Sequence, residues 1–247
     1  MSRMSKGQHR GLNAGLFENT RWSVVRAAAC QGSAASEALS WLCTAYWMPL
    51  YVYLRRVGRS KEDAEDVVQT FFSRLVSGDV LTMAIPERGR FRSFILVALK
   101  NLDRDIHRAD TALKRGGRME FVPLDMALAE ERWQIDEGVA GSPEAAFDRA
   151  WAGALMERAA NRTREACVAD GKESHFVEFF PRISGGKADG DVAASADRLG
   201  ISEQAARMAI SRLRRRYAEM IRAEIAETVA SQNDEADELR YLLASFS

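Results

Sequence analysis

DVAASADRLGISEQAARMAISRLRRRY, residues 191–217, is the stretch whose reading decides the fold. A short helix-compatible run ends at Leu199-Gly200, and glycine tolerates the left-handed backbone with which a helix stops and turns. Ser202 opens a second helix as its N-cap. In that helix Ala205, Ala209, Leu213 and Tyr217 recur every four residues, with Ala206 and Ile210 widening the stripe, so one face is apolar and packs inward. The opposite face carries Gln204, Arg207, Ser211, Arg212, Arg214 and Arg215. Two helices joined by a tight glycine turn, the second with a basic outer face, form a helix-turn-helix pattern. In that arrangement Gln204, Arg207 and Ser211 lie on the leading edge, where base edges are read, and the later arginines meet phosphates. The plainer reading is a solvated basic helix end, but the Gly200 stop and the Ser202 cap define where the second helix begins.

The chain of 247 residues suits one large domain or two small ones. Lys+Arg 35 balances Asp+Glu 35, so bulk charge does not announce a partner. Locally the charge is uneven. Arg88, Arg90, Arg92, Lys100, Arg104, Arg108, Lys114, Arg115 and Arg118 meet only Asp103, Asp105 and Asp110, while acid gathers toward the C-terminus. Two basic patches on a neutral chain point to a local anionic partner. Cys30, Cys43 and Cys167 have no metal-ligand spacing and read as small hydrophobes in a reducing compartment. No signal peptide and no apolar run of about 18 residues is present, so a cytoplasmic location and no membrane partner are expected.

Residues 1–19 read as a flexible leader, and a helical pattern with Trp22, Val25 and Ala29 on one face runs to Gly32-Ser33. A long apolar helix follows at about 35–57, in which Pro49 introduces a kink and Trp47 and Tyr51 fall on the buried stripe. Ser60 caps the next helix, 61–76, with apolar Ala64, Val67, Val68, Phe71, Phe72 and Leu75 against polar Glu62, Asp66, Gln69 and Ser73. Residues 90–108 place Phe91, Phe94, Ile95, Ala98, Leu99 and Leu102 inward and leave Arg92, Lys100, Asn101, Arg104, His107 and Arg108 outward or at the edge. Aromatics interleaved with cations suit single-stranded nucleic acid, whose bases stack while its backbone is tracked by charge. Residues 118–141 hold Pro123, Gly138 and Gly141 without a sustained period and read as a linker. Ser142-Pro143-Glu144 then starts a helix reaching about residue 170, followed by a short helix near 174–183. The chain shows no strand pairs, so an all-α fold of two small helical domains is expected: 20–117, and 142–230 holding the helix-turn-helix, with a tail at 231–247.

Several stretches together resemble the extracytoplasmic-function (ECF) sigma factors of bacterial RNA polymerase. They are Arg55-Arg56 through Ser60, Glu62-Asp63-Ala64-Glu65-Asp66-Val67-Val68-Gln69-Thr70-Phe71-Phe72, Gly89-Arg90-Phe91-Arg92-Ser93-Phe94 and Lys114-Arg115-Gly116-Gly117 for the first conserved region. Leu199-Gly200-Ile201-Ser202 and Arg212-Leu213-Arg214-Arg215-Arg216-Tyr217 stand for the second. The closing Glu238-Leu239-Arg240-Tyr241-Leu242-Leu243 is similar to the tail of a planctomycete and verrucomicrobial subgroup. The resemblance implies that Asp66, Gln69 and Thr70 dock on the core polymerase. It implies that Phe91, Phe94, Lys100, Asn101 and Arg104 hold the melted −10 element of promoter DNA, and that Gln204, Arg207, Ser211, Arg212 and Arg215 bind the −35 element. An anti-sigma factor is a further partner class. No cofactor and no catalysis by the chain itself are implied. Where the family has a Tyr-led helix start, Gly190-Asp191-Val192 stands here, leaving open where the first helix of the motif begins.

Two other classes compete. A helix-turn-helix transcription regulator without polymerase contact needs a sensor or dimerisation domain, for which 46–117 offers a basic and aromatic surface instead. An enzyme needs a site, yet His9, His107 and His175 are scattered and no phosphate loop or nucleophile arrangement is visible.

Overall fold

The structure is a computed structural model describing residues 33–77, 80, 91–110, 126–185, 191–226 and 232–244. The expectations for residues 1–32 and for the Lys114-Arg115-Gly116-Gly117 loop lie outside the described residues. Every regular element described is helical, as the periodicities require: α1 Ser33–Arg56, α2 Lys61–Val76, α3 Phe91–Asp110, α4 Met126–Glu137, α5 Pro143–Ala169, α6 Glu173–Phe179 with a short 3₁₀ turn Phe180–Arg182, α7 Val192–Leu199, α8 Glu203–Ala226 and α9 Gln232–Ala244. Among the described residues no helix is long and apolar enough to cross a membrane.

Helix α1 is the central rod. From Ala45 to Leu54 every side chain, the kink-competent Pro49 included, is withdrawn from solvent, a helix apolar all round that must be surrounded. Helix α2 covers it with Ala64, Val67, Val68, Phe71, Phe72 and Leu75, beginning where Ser60 Oγ accepts the Asp63 N–H at 3.1 Å. Helix α3 adds Phe91, Ile95, Leu99 and Leu102. Helix α5 closes the other side with Phe147, Trp151 and Leu155, all essentially without exposed surface. Cys43, buried in this core, has its thiol pushed up to about 11 by burial, which leaves it inert at neutral pH.

Two expectations gain detail from the structure. The linker at 118–141 contains α4, which seats Ala129 and Trp133 in the core. Among its described side chains only these two, one turn apart, are fully buried, too few for a period to register in a sequence of mixed polarity. Ion pairs complete its seat: Glu130 accepts hydrogen bonds from Tyr51 and Arg55, and Asp136 pairs with Arg149 at 2.8 Å. Burial and the Glu130 carboxylate together push the Tyr51 hydroxyl up to about 12, so it stays a donor there.

The domain boundary at 142 is also crossed. The first half of α5 belongs to the core built by α1, α2, α3 and α4, together with Ile225 of α8 and Leu242 of α9. The second half reaches a smaller cluster through Cys167, which packs with Phe179, Ala196, Ala206 and Leu213. At 27 residues α5 is roughly 40 Å long, enough to serve two cores. Helix α8 is fastened along it: buried Glu224 accepts from Arg158 and Arg162, both at 2.9 Å, and the Tyr217 hydroxyl donates to the Met156 carbonyl at 3.3 Å.

Candidate nucleic-acid interface

The α7–α8 pair is defined by its caps. Asp191 Oδ1 accepts the Ala193 N–H at 3.0 Å, which fixes the start of α7 that the sequence leaves open. Gly200 ends α7 at φ +65°, the left-handed conformation, and the Ile201 N–H returns to the Ala196 carbonyl at 3.0 Å. Ser202 Oγ then accepts the Ala205 N–H at 3.2 Å, and α8 begins. Its inward edge is Ala206, Leu213 and Tyr217, with Ala209 and Ile210 partly covered. Ala205, expected inward, is exposed, because the buried line runs through 206 and 213 and leaves 205 on its margin.

That rotation presents Gln204, Arg207, Ser211, Arg212 and Arg215 together on the solvent side. Arg207 pairs with Glu203 and Arg215 with Glu219 at 3.7 Å, both one turn apart and exposed. Such pairs hold a side chain weakly and can be exchanged for phosphate contacts. Beside this edge lies a cleft of about 360 Å³ between the end of α5, α6 and α8, lined by Cys167, Lys172, His175, Met208, Arg212 and Arg216. Arg216 spans its floor to Asp170 at 2.8 Å and holds that carboxyl below its usual range.

A second clamp orients α7. The Arg198 guanidinium, and then the Ser195 hydroxyl, hold the Glu178 carboxyl down at about 2. Ser195 Oγ, fully buried, in turn accepts from Arg182 at 2.8 Å. Helix α6, the 3₁₀ turn and α7 are thereby one polar junction.

On α3 the five expected strand-binding residues separate. Phe91 is 3 % exposed, edge-to-face with Tyr46 at 5.5 Å, so no face of its ring is open to a base. Phe94 is half-buried beside it, ring centroids 5.9 Å apart. Lys100 Nζ reaches Glu144 Oε1 at 2.6 Å over the Tyr53 ring. Burial alone would lower its pKa, but Glu144 and Tyr53 outweigh that and raise it. Asn101 and Arg104 are exposed, three residues apart and on one edge.

Arg92 is the departure from expectation. It does not face outward: its side chain is 8 % exposed, with Nε 2.6 Å from Glu238 Oε1 and Nη1 bonded to Asp148 Oδ1. The Tyr241 ring lies 4.0 Å from its guanidinium carbon, and the Tyr241 hydroxyl donates to Asp148. No local signal could have revealed this, since the partners lie 56 and 146 residues away.

On α2, Asp66 is exposed and Gln69 and Thr70 are half-buried, spaced along one face, with the Thr70 hydroxyl donating to the Asp66 carbonyl at 2.7 Å. Among the described residues no group of three or more His, Cys, Asp or Glu side chains could hold a metal ion. Comparison with protein families, curated proteins and solved structures finds no match to this chain.

Proposed function

We propose that the protein is a sigma factor of the extracytoplasmic-function type, which joins core RNA polymerase and directs it to promoters. The observation that supports this furthest is α8. Its start is set by the Ser202 cap, one side is buried, and Gln204, Arg207, Ser211, Arg212 and Arg215 all face solvent on the other. A helix so held can enter the major groove, with Gln204, Arg207 and Ser211 reading −35 base edges and Arg212 and Arg215 fixing register on phosphates.

The same reading gives α3 the −10 element. Phe94 offers a stacking surface backed by Phe91, while Asn101 and Arg104 supply a base-edge partner and a phosphate partner, and Lys100 adds charge once it leaves Glu144. Contacts of this kind offset the few kcal/mol needed to unstack and flip bases. The polar α2 face at Asp66, Gln69 and Thr70 is the polymerase-docking side. On this account the protein performs no chemistry; the polymerase does.

The test is co-elution of the full-length protein with purified core polymerase. Stable co-elution, reduced in Gln69→Ala, supports the reading. A protein that binds duplex DNA but never the polymerase would be a helix-turn-helix regulator instead.

A further inference from the structure

We propose that the cleft between the end of α5, α6 and α8 binds a small amphipathic anion, a carboxylate with a hydrocarbon body, and that its occupant draws Arg212 away from DNA. The site stands on its own lining. Its consequence rests on the reading of α8 as the helix that meets duplex DNA.

At about 360 Å³ the cleft falls at the lower end of the range of small-ligand sites, with room for one small molecule and not for a partner's helix. Its apolar wall is Ile201, Met208, Ala209 and Leu213. Met208 is 49 % exposed, and its unbranched thioether can shape itself to an alkyl chain. No Ser, Thr, Asn, Gln or Tyr lines the cleft. A sugar or a nucleobase placed there would leave its own hydrogen-bonding groups short of side-chain partners, whereas hydrocarbon asks for none.

Charge selects the head group. Two acids line the cleft and each is taken, Asp170 by Arg216 at 2.8 Å and Glu219 by Arg215 at 3.7 Å. Lys172 and Arg212 are left over, exposed and without an ion pair among the described residues. A carboxylate entering the cleft therefore finds an ammonium and a guanidinium unspent, and both donate charge-assisted hydrogen bonds. Arg212 is also one of the side chains that α8 presents to solvent for DNA. A carboxylate held in the cleft competes with a phosphate for that one guanidinium.

The experiment uses full-length protein and octanoate, with 1-octanol as the same body without the charge and acetate as the charge without the body. Calorimetry is expected to show one octanoate site, with octanol and acetate each at least about tenfold weaker. Lys172→Met and Ala205→Leu, whose added bulk enters the mouth of the cleft, should each weaken octanoate about tenfold while keeping the wild-type unfolding midpoint. In the second arm, anisotropy of a fluorescein-labelled duplex at low salt should report about tenfold weaker binding to wild type at saturating octanoate, against equal acetate. Lys172→Met should bind that duplex as wild type does and need more octanoate to release it. No octanoate binding, equal binding of octanol, or full binding to Ala205→Leu would overturn the site and leave the duplex reading of α8 standing. Octanoate bound with no change in duplex affinity would overturn its hold on Arg212. If no protein binds the duplex, the reading of α8 fails and the release of DNA with it, while calorimetry decides the site by itself.

Discussion

The carboxylate of Glu238 accepts a hydrogen bond from Nε of Arg92, 146 residues earlier in the chain. This single contact joins the first basic helix to the last helix and places both on the core that α1 organises. Together with Leu242 in that core, it makes α9 part of the first region's packing and not a free tail.

A comparable fastening holds α8, and its two arginines are predicted to differ. Glu224 is 3 % exposed in its side chain, Arg158 16 % and Arg162 42 %. Removing a buried partner strands the remaining charge, so Glu224→Ala and Arg158→Ala should each cost about 3–5 kcal/mol in denaturant unfolding. Arg162→Ala, whose charge is largely solvated, should cost less than about 1 kcal/mol. Equal losses for the two arginines would contradict this account of the α5–α8 contact.

The Glu178–Arg198 clamp predicts a pH dependence with a definite sign. The Glu178 pKa falls from its ordinary 4.5 to about 2 in the folded chain because Arg198 and Ser195 stabilise the carboxylate. A depressed carboxyl stabilises the fold above its unfolded pKa, and that contribution is lost as pH drops toward the folded value. Thermal stability should therefore decline between about pH 4.5 and about 2, and Glu178→Gln should remove part of the slope. The effect is small because Arg198 is well exposed. Identical pH profiles for wild type and variant would rule out the clamp.

Gly200 is required for its backbone and not for space. It sits at φ +65°, and a Cβ there would meet nothing within 4 Å. Gly200→Ala should thus cost only the left-handed strain, about 1–2 kcal/mol, measured by chemical unfolding. A much larger loss would mean that the turn is crowded as well as strained.

These elements also mark what the sequence could and could not reveal. The stops and starts at Ser60, Ser142, Gly200 and Ser202 were legible because a cap is made by residues two to four positions away. Helix α4 was not, because among its described side chains only Ala129 and Trp133 are fully buried. The burial of Arg92 was invisible for a different reason: Asp148 and Glu238 reach it only through the tertiary fold. For the candidate site, the outer edge of α8 followed from a period that Gly200 and Ser202 anchor. The inward turn of Phe91 followed from the amphipathic period, whereas the strand-binding role came from the resemblance and not from that period.

If α8 reads duplex DNA, Arg207→Ala and Arg212→Ala should each weaken binding of a promoter fragment by roughly 1–3 kcal/mol. Gln69→Ala, on α2, should leave that binding unchanged while lowering affinity for the polymerase. Unaltered promoter binding by both arginine variants, measured by anisotropy, would remove α8 from the interface.

The most direct measurement is transcription from a genomic DNA library by purified bacterial core polymerase, with and without the full-length protein. New start sites should appear only with the protein and share two spaced upstream motifs. A core polymerase that neither binds the protein nor gains any start site would contradict it.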